Sequence, residues 1–239
     1  MIRGLADAIL SLVLAPCCAC CGCALDQPTG GAVCRRCWTS IPASTGPLCQ
    51  TCGDALPTWG QPDTIRHCIR CRRSPRVISF GRSIGRYEGA LREILHALKY
   101  GGRRSVAAPL AAAMASAGAN VLRGADFVVP VPLHLVRQYS RGFNQASELA
   151  VHLGVPVLHA LRRTRATVTQ TDLPEADRHA NVRGAFALRR RPPPHSVLVV
   201  VDDVSTTGAT LDACAQVLLD GGASEVRGLT AARAAGRLP

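Results

Sequence analysis

The spacing of apolar residues divides the chain into two parts of different character. From residue 77 onward, apolar runs of strand length alternate with segments whose apolar residues recur every three or four positions, the spacing of one helix face. The predicted strands are residues 77–87, 126–132, 195–201 and 225–231, and the predicted helices are residues 89–100, 106–122, 144–153 and 209–219. Strands that alternate with helices predict an α/β fold with a mainly parallel sheet flanked by helices.

The first part of the chain is dominated by cysteine. Eleven of the twelve cysteines lie between Cys17 and Cys71, and eight of them form four C-x-x-C pairs. A turn with this spacing presents two thiolates to one tetrahedral zinc ion. Taken in order, the pairs predict a double zinc ribbon with two structural four-cysteine sites, whose ligands are Cys18, Cys21, Cys34 and Cys37 in the first and Cys49, Cys52, Cys68 and Cys71 in the second.

Three further cysteines, Cys17, Cys20 and Cys23, exceed what two sites need, and they leave the ligand set of the first site open. The choice of Cys18 and Cys21 is favoured because Gly22 then directly follows the first pair, just as Gly53 directly follows the third. The backbone after such a C-x-x-C turn, or knuckle, often has positive φ, which glycine adopts readily. Disulfides are the rival use of these thiols. Repeated C-x-x-C pairs without a credible secretion signal favour metal instead.

Residues 5–15 are apolar enough to suggest a targeting segment. The run is too short to span a bilayer, Asp7 interrupts it, and Arg3 is its only basic leader. We therefore expect a short amphipathic helix that packs on the protein itself, no membrane span and a cytoplasmic location. This helix and the double zinc ribbon make up a predicted domain of residues 1–76, and a second domain of residues 77–239 follows.

The formal net charge of +12 favours anionic partners such as nucleotides or nucleic acid. Lys99 is the one lysine among 28 basic residues, and such a bias toward arginine also arises from a GC-rich genome without selection for binding. Two four-cysteine zinc sites would lower the charge to about +8. Nucleic acid is therefore a candidate partner on charge alone.

The most informative segment joins the strand predicted at 195–201 to the helix predicted at 209–219. In order, it reads Asp202, Asp203, Val204, Ser205, Thr206, Thr207, Gly208, Ala209 and Thr210. Its small and hydroxyl residues, together with a helix N-terminus, make a cradle for phosphate. The two carboxylates would repel that phosphate unless they bind hydroxyls or a metal ion, so a ribose 5-phosphate fits both halves. The alternative is a purely structural turn in which the acids cap the helix.

The loop resembles the phosphoribosyl-pyrophosphate signature of type I phosphoribosyltransferases. The whole chain resembles the ComF family of competence proteins, in which a double zinc ribbon precedes a domain of the type I phosphoribosyltransferase fold. Besides the cysteine pairs and the loop, the shared motifs are Leu98-Lys99-Tyr100, Pro130-Val131-Pro132-Leu133, Arg141-Gly142-Phe143-Asn144-Gln145, Gln170, and Arg178 with Asn181.

The resemblance implies a role for each part of the loop. Asp202 and Asp203 would bind the ribose hydroxyls, and Ser205 to Thr210 would hold the 5-phosphate of phosphoribosyl pyrophosphate, bound with Mg²⁺. The catalytic set implied is Asp202, Asp203 and Arg141. The further ligand-binding residues implied are Lys99, Pro132, Arg141 and Arg178. Residues 161–186, with Arg163, Arg165, Gln170, Arg178 and Asn181, resemble the mobile hood of these enzymes, where arginine pairs with phosphate oxygens.

One departure limits the reaction. Enzymes of 6-oxopurine salvage carry a carboxylate at the position of Thr206, so salvage of hypoxanthine or guanine is not favoured here. Two hypotheses remain: a phosphoribosyltransferase acting in DNA uptake or nucleotide metabolism, and a non-catalytic ribose-phosphate scaffold or sensor that binds single-stranded DNA or a DNA-processing protein. A transcriptional regulator that uses the zinc module is a third. The first two both predict binding of phosphoribosyl pyrophosphate and differ in turnover.

Overall fold

Four parallel strands form the main sheet of the computed structural model, which describes residues 2–42, 46–57, 66–133, 142–165, 182 and 184–234. These strands are β1 (Gly81–Arg86), β2 (Phe127–Pro130), β5 (Val197–Ser205) and β6 (Glu225–Arg233), in the spatial order β1–β6–β5–β2. A separate antiparallel pair consists of β3 (Leu161–Arg163) and β4 (Phe186–Leu188). The helices are α1 (Ile2–Leu14), α2 (Arg35–Thr39), α3 (Ile69–Arg73), α4 (Gly89–Tyr100), α5 (Ala107–Ala117), α6 (Ala119–Leu122), α7 (Gln145–Ala150) and α8 (Ala209–Asp220).

The sheet is covered on both faces, which explains the continuous apolar run of β5. Val199 and Val201 pack in the core that α4 and α5 also line, whereas Leu198 and Val200 pack in the core that α8 lines. All four side chains are fully buried. Successive side chains of β5 point to opposite faces of the sheet, so this one strand contributes to two hydrophobic cores. The predicted α/β fold with a mainly parallel sheet flanked by helices, preceded by a cysteine-rich module, is confirmed.

Several predicted elements have different bounds in the structure. The strand predicted to begin at residue 77 begins at Gly81, because the N–H groups of Val77 and Ile78 donate to the Asp212 carboxylate instead of to a neighbouring strand. The helix predicted over 106–122 divides at Gly118. A β-carbon there would lie 2.4 Å from Leu229 Cδ1, so the sheet approaches too closely for a larger residue.

Strand β5 is longer than predicted at its carboxyl end. Its parallel pairing with β6 continues beyond Val201 as far as Ser205, which lies opposite Arg233. The acid pair therefore belongs to the end of the strand and not to a loop after it. The sheet fixes the backbone of Asp202 and Asp203 by pairing on the β6 side.

The first ribbon, which carries Cys18 to Cys37, packs beside α4. Cys18 and Cys37 are buried in the same core as Leu91 of that helix, and Cys20 Sγ lies 3.9 Å from the carbonyl oxygen of Ala90. Helix α1 contacts this ribbon through polar groups, since the Asp7 carboxylate accepts from the Thr29 N–H at 2.8 Å.

The apolar residues of the last turns of α1 face outward: Leu12 is 88% exposed and Val13 71%. The predicted helix is present, and its Ser11 hydroxyl donates to the carbonyl oxygen of Leu25 at 3.4 Å. No helix within the described ranges is long and apolar enough to cross a bilayer.

The second ribbon, which carries Cys49 to Cys71, packs on the edge of the sheet. The Gly81 N–H donates to the carbonyl oxygen of Thr51 at 2.6 Å, and Arg82 Nη1 donates to the carbonyl oxygens of Cys49 and Gln50. Both ribbons thus contact the α/β part directly. The domain boundary between residues 76 and 77 stays a prediction.

Candidate functional site

The eight predicted metal-ligating cysteines come together as two clusters, one in each ribbon. Within each cluster all sulfur atoms lie within 4.8 Å of one another, and three of the Sγ–Sγ distances are 3.6, 3.8 and 3.9 Å. A zinc ion bonded to four sulfurs at about 2.3 Å requires Sγ–Sγ distances of about 3.8 Å. The donor set and spacing therefore fit zinc at both sites.

The local backbone favours the thiolate form that a metal needs. Burial alone would raise the pKa of the Cys18 thiol, but backbone N–H groups, including those of Cys20 and Cys34 at 3.4 and 3.3 Å, lower that pKa to about 6. Gly22 and Gly53 both have φ of +73°, so the two knuckles make the same turn, as expected. Cys20 lies outside the first cluster, and burial raises its pKa.

The acid pair stands at the carboxyl end of β5. Asp203 Oδ2 lies 2.9 Å from Lys99 Nζ at the end of α4, and both side chains are 14% exposed. Asp202 Oδ1 accepts from the Asp203 N–H at 2.8 Å. Burial and the adjacent Asp203 charge raise the pKa of Asp202 to about 7, against the opposing effect of Lys99 and Arg163.

Lys99 stays a cation in this setting. Burial alone would lower its pKa, but the carboxylates of Asp203 and Asp202 raise it overall. The site thus combines two carboxylates with a buried ammonium group, and Arg163 of β3 is close enough to act on the charge of Asp202. The cluster of Asp202, Asp203 and Lys99 can accept hydrogen bonds from hydroxyls, and it carries less net negative charge than two isolated acids would.

The turn after β5 places hydroxyl groups at the start of a long helix. Ser205, Thr206 and Thr207 are buried, and Thr207 Oγ1 accepts from the Ala209 N–H at 3.3 Å. Gly208 has φ of +84°, which reverses the chain into α8. The Ser205 hydroxyl has no hydrogen-bond partner among the described residues, although it is 5% exposed.

The other predicted site residues fall into two groups. Pro132 is half-buried just after β2, which neighbours β5, so it lies at the same edge of the sheet as the acid pair. After it, the Asn144 side-chain amide donates to the carbonyl oxygen of Val131 at 2.9 Å and joins α7 to that strand end. The remaining predicted residues lie outside the described ranges: Arg141, Gln170, Arg178 and Asn181.

Two residues that sequence reasoning missed hold the turn from behind. Arg76 Nη2 donates to the carbonyl oxygen of Gly208 at 3.0 Å, and its Nε donates to Asp212 Oδ2 at 2.5 Å. Asp212 is a buried acid in the first turn of α8. Its partner lies 136 residues away in the chain. Local periodicity carries no signal for such a pair, although a lone acid on the buried face of a predicted helix is a weak one.

Known proteins resemble this chain over most of its length. The DNA utilization protein YhgH of Escherichia coli K12 is 33% identical over 214 residues, which cover 80% of this chain and 93% of that protein. The chain belongs to the ComF family. Competence protein F of Haemophilus influenzae is 30% identical over 84% of this ComF-family chain, and competence protein ComFC of Bacillus subtilis is 28% identical over 80% of it. The two alignments cover 90% of competence protein F and 79% of ComFC.

No protein-family profile matches this ComF-family chain. Among solved structures, the allosteric regulatory enzyme of purine biosynthesis aligns with 53% of the chain and 26% of its own length, at 24% identity and a TM-score of 0.35.

Proposed function

We propose that this ComF-family chain binds 5-phosphoribosyl 1-pyrophosphate, or a closely related ribose 5-phosphate, at the loop from Asp202 to Thr210. One observation carries the proposal: an acid pair and a buried, hydroxyl-rich turn follow each other at the carboxyl end of a central parallel strand. Open α/β sheets bind ligands at this edge. The Ser205 hydroxyl, buried without a partner among the described residues, is a donor available to a phosphate oxygen.

The two halves of the loop take different parts of the ligand. The turn into α8 offers hydroxyl and backbone N–H donors to the 5-phosphate. The Asp202 and Asp203 carboxylates accept from the ribose hydroxyls, and the Lys99 ammonium group offsets part of their charge, which reduces repulsion of the nearby phosphate. We assign the pyrophosphate to Arg141 and Arg178, which lie outside the described residues, and we place Pro132 beside it.

Phosphoribosyl transfer is the reaction that such a site supports. The bond between C1 and pyrophosphate breaks as the acceptor attacks C1, and positive charge develops on the ribose. Asp202, Asp203 and Arg141 would then act by holding the ribose and the leaving group in place. Bound Mg²⁺ would supply charge neutralisation for the leaving pyrophosphate.

Titration calorimetry with phosphoribosyl pyrophosphate and Mg²⁺ tests the binding proposal. We expect the wild type to bind and the combined Asp202→Asn, Asp203→Asn variant to bind at least about 100-fold more weakly, because two charged hydrogen-bond acceptors are lost at about 1.5 kcal/mol or more each. Asp220→Asn is the matched control, since Asp220 is an exposed acid at the far end of α8. Absence of binding by the wild type would sink the proposal.

Turnover separates an enzyme from a sensor or scaffold. A phosphoribosyltransferase releases pyrophosphate when an acceptor and Mg²⁺ are present, and the double asparagine variant abolishes that release. Binding without pyrophosphate release across nitrogenous-base acceptors supports a non-catalytic ribose-phosphate protein.

Contact with single-stranded DNA is a second candidate function, in line with the relatives named for DNA utilization and competence. The second ribbon exposes Arg66, Arg72 and Arg73 to solvent. We propose that this surface contacts phosphates of DNA in the cytoplasm, alone or with a DNA-processing protein. Reduced thiols, which zinc sites need, are the normal state in that compartment.

The DNA proposal predicts a steep salt dependence of affinity for a single-stranded oligonucleotide. Arg72→Ala with Arg73→Ala is expected to weaken binding and flatten the salt slope by about 1.4 units, about 0.7 for each lost phosphate contact. Arg189→Ala with Arg190→Ala removes the same charge from another exposed segment and serves as the control. Equal losses in both variants would show attraction to net charge without a specific surface.

A further inference from the structure

The segment after the second ribbon contacts one end of the phosphate loop directly, and the ribbon itself is linked to the other end through Arg233. Ser205, where the loop leaves β5, pairs with Arg233 of β6, and the Ala234 N–H donates to its carbonyl oxygen at 2.9 Å. Gly208, where the loop enters α8, accepts from Arg76, five residues after the last zinc-ligating cysteine. Two arginines therefore connect the loop to the cysteine-rich module: Arg76 lies just after the second ribbon, and Arg233 contacts that ribbon.

Arg76 is the tighter of the two links. Its side chain is 6% exposed, and its planar guanidinium group bridges the Gly208 carbonyl and the Asp212 carboxylate. The same carboxylate accepts from the N–H groups of Val77 and Ile78 at 3.1 and 3.3 Å. A β-carbon on Gly208 would lie 1.8 Å from Arg76 Nη2, so this contact leaves no space for another residue in the turn.

Arg233 makes the second link. Its guanidinium group pairs with Asp54 of the second ribbon, and Nη1 donates to the carbonyl oxygen of Cys52, a predicted zinc ligand, at 3.4 Å. Arg233 is 8% exposed, whereas the Asp54 side chain is 24% exposed, so the pair lies at the border of the buried interface. The ribbon knuckle and the start of the loop thus contact the same residue of β6.

We infer that the second four-cysteine site and the ribose-phosphate loop are energetically coupled, with Arg76 as the positioning residue that transmits the coupling. This inference rests on the proposed function. A folded second ribbon fixes the path of residues 72–76 and so places the Arg76 guanidinium group against Gly208. Loss of metal from that ribbon releases this support, and the turn then loses the geometry that the phosphate requires.

Coupling of this kind is reciprocal, which gives a readout independent of catalysis. The equilibrium partition of zinc between the full-length wild type and a chromogenic chelator is measured with and without saturating phosphoribosyl pyrophosphate and Mg²⁺. We expect the ligand to raise the affinity of the protein for one of the two zinc ions by about fivefold or more. The Asp202→Asn, Asp203→Asn protein at the same ligand concentration corrects for zinc captured by the phosphates of the ligand.

Arg76→Lys tests the residue itself. Lysine keeps the charge and can pair with Asp212, but it lacks the planar fork that reaches Asp212 and Gly208 together. We expect about tenfold weaker ligand binding, unchanged zinc content and loss of the protection of zinc by ligand. Arg189→Lys, at an exposed arginine outside both ribbons, is the matched control and behaves as wild type.

The outcomes separate this inference from the proposed function. If the wild type does not bind phosphoribosyl pyrophosphate, the proposed function fails and takes the inference with it. If the wild type binds the ligand but its zinc affinity is the same with and without ligand, the coupling is refuted while the binding site stands. The zinc measurement uses only the wild-type protein, so it can refute the coupling even if the Arg76→Lys protein folds poorly.

Discussion

Replacement of Asp202 by asparagine is expected to stabilise the folded protein at and above neutral pH. Burial and the neighbouring Asp203 charge raise the pKa of Asp202 from 3.8 to about 7, so the folded chain holds this proton more tightly than the unfolded chain does. The stability due to that proton is complete below about pH 4 and is lost as the pH rises through 7. Asparagine carries no charge and avoids the loss.

The magnitude follows from the two pKa values. About three pH units at 1.36 kcal/mol each give a difference of about 4 kcal/mol between variant and wild type well above pH 7. Between pH 5.5 and 8.5, where the cysteine sites should keep their metal, the difference should change by about 2 kcal/mol. The same substitution should weaken binding of phosphoribosyl pyrophosphate, since the ribose loses a charged acceptor.

Urea unfolding of both proteins at several pH values in this range gives the difference directly, and the shared zinc sites cancel in the comparison. Asp220→Asn, on the exposed end of α8, should show no such pH-dependent gain. A variant that is no more stable than wild type at pH 8.5, or a difference that is constant with pH, would refute the argument. A carboxylate kept despite this cost is typical of a functional site.

Three further predictions concern other parts of the site. Gly208→Ala should lower the free energy of unfolding, measured in urea, by about 3 kcal/mol, because the new methyl group displaces the Arg76 side chain. Gly154 also has positive φ but has open space around it, so Gly154→Ala should lower the free energy of unfolding by about 1 kcal/mol. Metal analysis should find about two zinc ions per wild-type chain and about one after Cys52→Ala. Lys99→Met leaves the acid pair without its cation and should lower the free energy of unfolding by about 3 kcal/mol at pH 8. The decrease should be smaller at pH 5.5, because the acid pair takes up a proton there.

Much of this fold could be predicted because its signals are local. The apolar run before Asp202 predicts a central strand, and apolar spacing places helix α4 at its observed bounds, residues 89–100. The cysteine pairs predict the two sulfur clusters for the same reason, since the spacing itself shapes the knuckle.

What the sequence did not predict depends on contacts between distant segments. Asp212 is a single acid on the apolar face of its helix, and nothing near it in the chain points to Arg76. The same acid shortens the first strand, because it takes the N–H groups that a strand would have used. The pairing of Lys99 with Asp203 likewise appears only after α4 is laid against β5.

The position of β6 sets the order in which the protein can be completed. This strand follows all the other described strands in the chain, yet it lies between β1 and β5, and its Arg233 pairs with Asp54 of the second ribbon. Until residue 233 has been synthesised, β1 lacks its partner strand and the ribbon lacks one of its anchors. A growing chain can therefore form the cysteine clusters early, but the loop from Asp202 to Thr210 can take its final form only after residue 233 has been synthesised.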